Sequence, residues 1–113
     1  MAALSNIFID QGSDFITILF VGDSSGNATD LTNYSVIAQV RKTYESVSAT
    51  SFTAEFDDDR TTGNITISLT AAQTSAMEPG RYVYDVLISN PNGLSTRVVE
   101  GIATVSPSVS RTS

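Results

Sequence analysis

Hydrophobic residues in this chain recur with period two, in segments rich in Val, Ile, Thr, Phe and Tyr separated by Gly, Asn, Asp and Ser. That is the repeat of a strand with one buried face, whereas an amphipathic helix repeats every 3.6 residues. The pattern predicts strands at about Leu4 to Asp10, Asp14 to Val21, Ser35 to Thr43, Ser51 to Phe56, Asn64 to Leu69, Gly80 to Ser89 and Thr96 to Val105. The chain reads as all-β, and seven strands of this length suit a two-sheet sandwich. With 113 residues it is long enough to bury one core without metals or disulfides. Residues 1–105 form the expected domain. Residues 106–113 lack an apolar stripe and contain Pro107, so they read as an extended C-terminal arm.

The separators carry turn chemistry. GDSSGN (22–27) and NPNG (90–93) supply Gly or Asn where a turn requires positive φ, and both read as hairpin loops. TAAQTSAMEPG (70–80) favours helix but stops at Pro79 and Gly80, which predicts a single helical turn crossing between sheets. Ala71, Ala72 and Met77 are expected to close the core there. No repeat of 20 to 50 residues is visible.

Alternation also assigns faces. Tyr34, Val36, Ala38 and Val40 form one stripe, with Ile37, Gln39 and Arg41 opposite. Tyr82, Tyr84, Val86 and Ile88 form another, with Val83, Asp85 and Leu87 opposite. The predicted core is Val36, Val40, Phe52, Phe56, Ile65, Ile67, Tyr82, Tyr84 and Val86. The outer face then presents Ile37, Gln39, Arg41, Val83, Asp85, Leu87 and Arg97, and one of the adjacent pair Val98 and Val99 should join them. Such a half-apolar surface points to a protein interface. In 15–21, Phe15, Leu19 and Val21 alternate with Ile16, Ile18 and Phe20, so both sides of that strand want cover.

Composition narrows the chemistry. Without cysteine or histidine there are no disulfides, thiolate or imidazole metal sites, or Ser-His-Asp and Cys-His nucleophilic machinery. A net charge of -6 with unclustered basic residues disfavours nucleic acid. No apolar run approaches a membrane span, and Met1 to Asn6 lacks the start of a signal peptide, so neither membrane attachment nor secretion by a cleaved signal is expected. The sequons at Asn27 and Asn64 are set aside on that ground. Asp57, Asp58 and Asp59 read as a solvated loop balanced by Arg60 rather than a calcium site, which takes six to eight oxygens. Asp10, Asp14, Asp23 and Asp30, unaccompanied by any base before Arg41, are expected to make one end of the molecule acidic. No two of them form the paired carboxylates of a glycosidase. Neither an enzymatic role nor a cofactor is expected.

The run EPGRYVY (78–84) resembles the immunoglobulin-type entry into strand F, in which a glycine turn precedes a tyrosine two residues before a core position. This makes Gly80 the turn residue, Tyr82 the corner tyrosine bonded to the preceding backbone, and Tyr84 the core residue. Tryptophan and a cysteine pair are absent, so the resemblance is to immunoglobulin-like sandwich geometry, with about seven antiparallel strands. IDQGSDF (9–15), DLTNYSVIAQVRK (30–42), GNITISLTAAQTSAMEPGRYVYDVLIS (63–89) and RVVEGIATVSPSV (97–109) together resemble small immunoglobulin-like domains of tailed-phage virion proteins. Among these are the N-terminal domain of baseplate upper proteins and short structural proteins of marine phages. The resemblance implies a non-enzymatic, multi-copy virion structural protein, assembled in the host cytoplasm. It would decorate the capsid or sit on the tail or baseplate, with other virion proteins and copies of itself as partners. A carbohydrate or host-surface binding module is the alternative, and Tyr44 is the main aromatic expected to be exposed for such a role.

Overall fold

The computed structural model describes residues 3–22, 25–43, 45–46 and 49–107. Its strands are β1 (Ala3–Leu4), β2 (Ile7–Asp10), β3 (Phe15–Phe20), β4 (Ser35–Arg41), β5 (Thr50–Ser51), β6 (Thr53–Phe56), β7 (Asn64–Leu69), β8 (Gly80–Ser89) and β9 (Ser95–Ser106). One short helix, α1 (Ala71–Ser75), precedes β8. In the larger sheet β9, β8, β4 and β5 lie side by side, and β1 and β2 share the outer side of β9. The smaller sheet has the order β3-β7-β6.

The expected strands are present, with two of them divided. Residues 50–56 change sheets at Phe52: β5 pairs with β4 while β6 pairs with β7. Phe52 is buried at this crossing, its ring centroid 6.1 Å from that of Phe15 and 6.1 Å from that of Tyr84. The first strand breaks at Ser5 and Asn6. Its two parts run parallel to β9, which corrects the expectation of uniformly antiparallel pairing. The corner at residues 11–14 sends β3 into the opposite sheet, leaving β2 beside β9, and the two run in the same direction.

Ile9, Leu31, Ile65, Ile67 and Val86 lie at the centre of the core between the sheets. Of the predicted core, Val40, Phe52, Ile65, Ile67, Tyr84 and Val86 are buried, while Val36, Phe56 and Tyr82 are half-buried against its margin. The corner geometry is present. Gly80 has φ of 139°, a conformation that disfavours a side chain, and the Tyr82 hydroxyl donates to the Glu78 carbonyl at 2.8 Å.

The helical turn at 70–80 is also present, and of Ala71, Ala72 and Met77 it is Met77 that closes the core as expected. Thr70 and Gln73 form a capping box, and Asp14 Oδ1 accepts from the Ala71 N–H at 2.7 Å. Ala72 is exposed and Ala71 half-buried; Met77 and Thr74 are the buried pair. The Thr74 hydroxyl donates to the Ser13 carbonyl at 2.9 Å and accepts from the Gly12 N–H at 3.0 Å, so it ties α1 to the corner between β2 and β3. Thr74→Val keeps the shape but leaves both backbone groups unpaired. It should cost about 1 to 3 kcal/mol in urea denaturation; a wild-type midpoint would mean that the corner does not depend on this hydroxyl.

Two loop readings also change. In place of a hairpin between paired strands at 22–27, Gly22 makes an isolated antiparallel bridge with Ala28 just past β3, and residues 23 and 24 lie outside the described residues. Arg60 does not balance the acidic run: its guanidinium lies 4.2 Å from the Phe56 ring centroid and donates to the Tyr34 carbonyl at 3.1 Å. Asp59 instead caps the short 3-10 turn Arg60–Thr62 by accepting from the Thr61 N–H. Of the arm, Ser106 ends β9 and Pro107 is exposed; residues 108–113 lie outside the described residues.

Candidate interaction face

The outer face of the larger sheet is built by three adjacent strands in register. Reading across β4, β8 and β9, one row holds Ile37, Leu87 and Arg97, the next Gln39, Asp85 and Glu100, and the third Arg41, Val83 and Ile102. Side chains directly paired across strands share a face, so all seven residues expected on this surface meet there. Together with Glu100 and Tyr84 they line a shallow concavity of about 370 Å³. Ile37 is 61% exposed at its rim.

The charged groups in this grid hold one another. Arg97 Nε lies 3.2 Å from Asp85 Oδ2, and its Nη1 is 4.0 Å from Glu100 Oε2. Asp85 is thus paired within its own sheet, across strands, with Arg97. Arg41 turns the other way, donating to the Ser46 carbonyl at 2.6 Å and to Gln39 Oε1 at 3.2 Å. The grid thus carries two guanidiniums and two carboxylates and is electrically balanced on a chain of net charge -6. An acidic partner, or another copy of the chain, meets no net repulsion at this patch.

Glu100 and Ile102 belong to the face although alternation alone did not assign them. Val86 pairs with Val99 and Leu87 with Arg97, leaving Val98 as an extra residue. Such a bulge resets the parity of β9. Val99 is buried and Val98 packs against the core, so neither takes the outward position expected for one of them. The apolar surface also continues past β9 to Leu4 and Phe8 on the first strand. Phe8 is 72% exposed, an outward aromatic that the sequence reading did not single out; Tyr44, expected to be the main exposed aromatic, lies outside the described residues. Ile7 and Ile9 occupy the core, and that alternation could have placed Phe8 outward.

Of the four early acids, Asp23 lies outside the described residues, and the other three do not gather at one end. Asp10 and Asp14 lie near the start of β3, whereas Asp30 follows Thr29, whose N–H donates to the Val21 carbonyl just beyond the far end of that strand. Thr32 and Thr61 hydroxyls donate to Asp30 and Asp59, respectively, and with the backbone N–H groups of the same threonines hold both carboxyls below the usual carboxylate range. These acids are engaged in local turns. Among the described residues no group of three acidic side chains is placed to hold a metal ion, and no helix is long and apolar enough to cross a membrane.

No family model and no curated protein matches this sequence. Among solved structures, the fold is similar to part of an internalin-like protein of Listeria monocytogenes, with 18% identity and a TM-score of 0.52 over 93% of this chain. The chain spans 28% of that protein's length. It is also similar to the extracellular domain of the voltage-gated sodium channel β4 subunit, with 15% identity and a TM-score of 0.47 over 96% of both chains. A third similar structure is AggA, a fimbrial subunit of Escherichia coli, with 11% identity and a TM-score of 0.41 over 89% of both chains. At these identities the likeness speaks to fold alone. Strand order and the corner tyrosine make the chain an all-β protein with an immunoglobulin-like two-sheet sandwich, and the likeness to part of the internalin-like protein agrees with that fold.

Proposed function

We propose that this chain is a non-enzymatic structural module that docks in many copies onto a larger assembly through the outer face of β4, β8 and β9. The assembly is a bacteriophage virion, at the capsid surface or on the tail or baseplate, and the partners are other virion proteins and copies of the chain itself. The observation carrying the reading is the grid of outward residues, half apolar and charge-balanced around a shallow concavity. The choice of a virion rests on the resemblance of the sequence segments quoted above. A carbohydrate-binding role would draw on the exposed Phe8 and Phe20, but these lie on different sheets and form no common aromatic platform.

Mass spectrometry of purified particles tests the assignment directly. Stoichiometric presence in hundreds of copies indicates capsid decoration, tens indicate the tail, and absence from particles overturns the virion role. The face is tested by Asp85→Ala. The Asp85–Arg97 pair is partly exposed, so the isolated domain should lose no more than about 1 kcal/mol. Incorporation into particles should fall, because removing Asp85 unbalances the patch. Incorporation equal to wild type would remove this pair from the interface.

A further inference from the structure

Exposed strand edges offer unpaired backbone groups to other chains, and folded proteins blunt them with charge, proline, bulges or brevity. Among the described residues, three of the four sheet edges are blunted. The first strand is interrupted at Ser5 and Asn6, and the Asn6 side chain accepts from the Ile102 N–H. β5 has two residues. β6 has four and carries Glu55. β3 alone runs six residues without charge, proline or interruption, and among the described residues no strand pairs with its outer side.

Its backbone polarity can be read from the ladder. Val21 donates to the Gly63 carbonyl, in line with the β3–β7 register, so residues 15, 17 and 19 exchange bonds with β7. Asp57 donates to the Asn64 carbonyl, which places the even residues of β7 toward β6 and agrees with that phase. The N–H and C=O groups of Ile16, Ile18 and Phe20 therefore point to the open edge. The side chains of the same three residues stand on the outer face, exposed by 70%, 66% and 54%.

We propose that β3 is a site of homotypic strand addition, at which a second copy of this chain pairs antiparallel along β3 on a two-fold axis through Ile18. In that register Ile18 faces its own counterpart, and Ile16 of each copy lies beside Phe20 of the other. Every open-edge N–H and C=O of the three residues is then satisfied. Branched-aliphatic and aromatic neighbours are favourable cross-strand pairs. Charge selects the second copy as occupant. The chain carries -6, yet β3 and the outward Asn64, Thr66 and Ser68 of β7 bear no charge, so two copies meet here without opposed carboxylates. A strongly charged partner strand would find no counter-charge. Six residues a side is small beside the roughly 20 to 30 of a standard interface. The dimer is therefore concentration-dependent, and it strengthens where many copies are held on one surface. It uses the opposite sheet from the docking face proposed above, so the two can fail independently.

The chain contains no cysteine, which permits a register-specific test. A hydrogen-bonded antiparallel pair brings Cα atoms to about 5.5 Å, within disulfide reach. Under mild oxidation Ile18→Cys should cross-link to a dimer. Ile16→Cys should do so only when mixed with Phe20→Cys. Ile37→Cys, on the other sheet, should stay monomeric. In sedimentation equilibrium Ile18→Lys should weaken wild-type self-association about tenfold or more, because like charges then oppose each other; circular dichroism confirms that this exposed substitution leaves the fold intact. A wild-type chain that is monomeric at every concentration, or that associates equally well as Ile18→Lys, overturns the proposal. So does efficient cross-linking through Ile37→Cys without Ile18→Cys, which would place self-association on the larger sheet.

Discussion

Tyr84→Ala is expected to remove about 3 to 5 kcal/mol of folding stability, the usual range for deleting a large buried aromatic side chain. Tyr84 is 4% exposed and makes an edge contact with Phe52, the residue at which the chain changes sheets. Its ring therefore supports both sheets at once. Its hydroxyl reaches across β9 and donates to the Ser5 carbonyl, 79 residues away in sequence. Tyr84→Phe separates the two contributions: it keeps the ring, strands that carbonyl, and should cost about 1 to 3 kcal/mol. Urea denaturation of both variants measures the difference. A loss below about 1 kcal/mol for alanine would put this ring outside the core.

The same burial fixes a pH dependence. Desolvation raises the Tyr84 phenol above its ordinary value, more than its hydrogen bond to Ser5 lowers it, and Tyr82 shifts the same way because of burial. Both phenols are neutral below the unfolded value near 10, where their contribution to stability is complete. As pH rises past that value the unfolded chain ionises first, and the contribution is lost as pH climbs through the folded values. Tyr84→Phe should flatten this alkaline limb.

Uninterrupted alternation made β4 and β8 legible. Val36, Ala38 and Val40, like Tyr82, Tyr84, Val86 and Ile88, point inward as their period requires, and this fixed five of the grid residues between them, Ile37, Gln39, Val83, Asp85 and Leu87. Arg41 and Arg97 followed from the same phase. β9 was harder to read because the extra residue at Val98 is defined by pairing with β8, and a bulge has no local signature when the two adjacent candidates, Val98 and Val99, are both valine. Phase was lost beyond it, and with it Glu100 and Ile102. Thr74 escaped notice for a related reason. A threonine in a polar helical turn resembles a surface residue until its long-range partners, Gly12 and Ser13, are known. The exposed stripe of β3 was visible in the sequence as a strand apolar on both sides. That it occupies an open edge follows from the first strand's choice of β9, which short-range pattern does not encode.

Gly101→Ala should have the other large effect, acting on the same junction from the opposite side. A strand glycine without a turn often marks a close backbone approach. Gly101 lies opposite Tyr84, and a Cβ there would run into the Ser5 carbonyl oxygen and stand 2.8 Å from its carbon. Those are backbone atoms, so relief requires moving the first strand away from β9 and not merely turning a rotamer. Overpacking of this kind costs about 1 to 3 kcal/mol, and here the displaced carbonyl also leaves the Tyr84 hydroxyl. Hydrogen exchange should localise the damage: the Ser5 N–H, which donates to Glu100 at 2.9 Å, should exchange faster, while β3 and β7 retain their protection. Because both variants act through one carbonyl, Gly101→Ala combined with Tyr84→Phe should cost less than the sum of the single changes. Simple additivity, or unchanged exchange at Ser5, would show that Gly101 and Tyr84 do not converge there and that the break in the first strand has another cause.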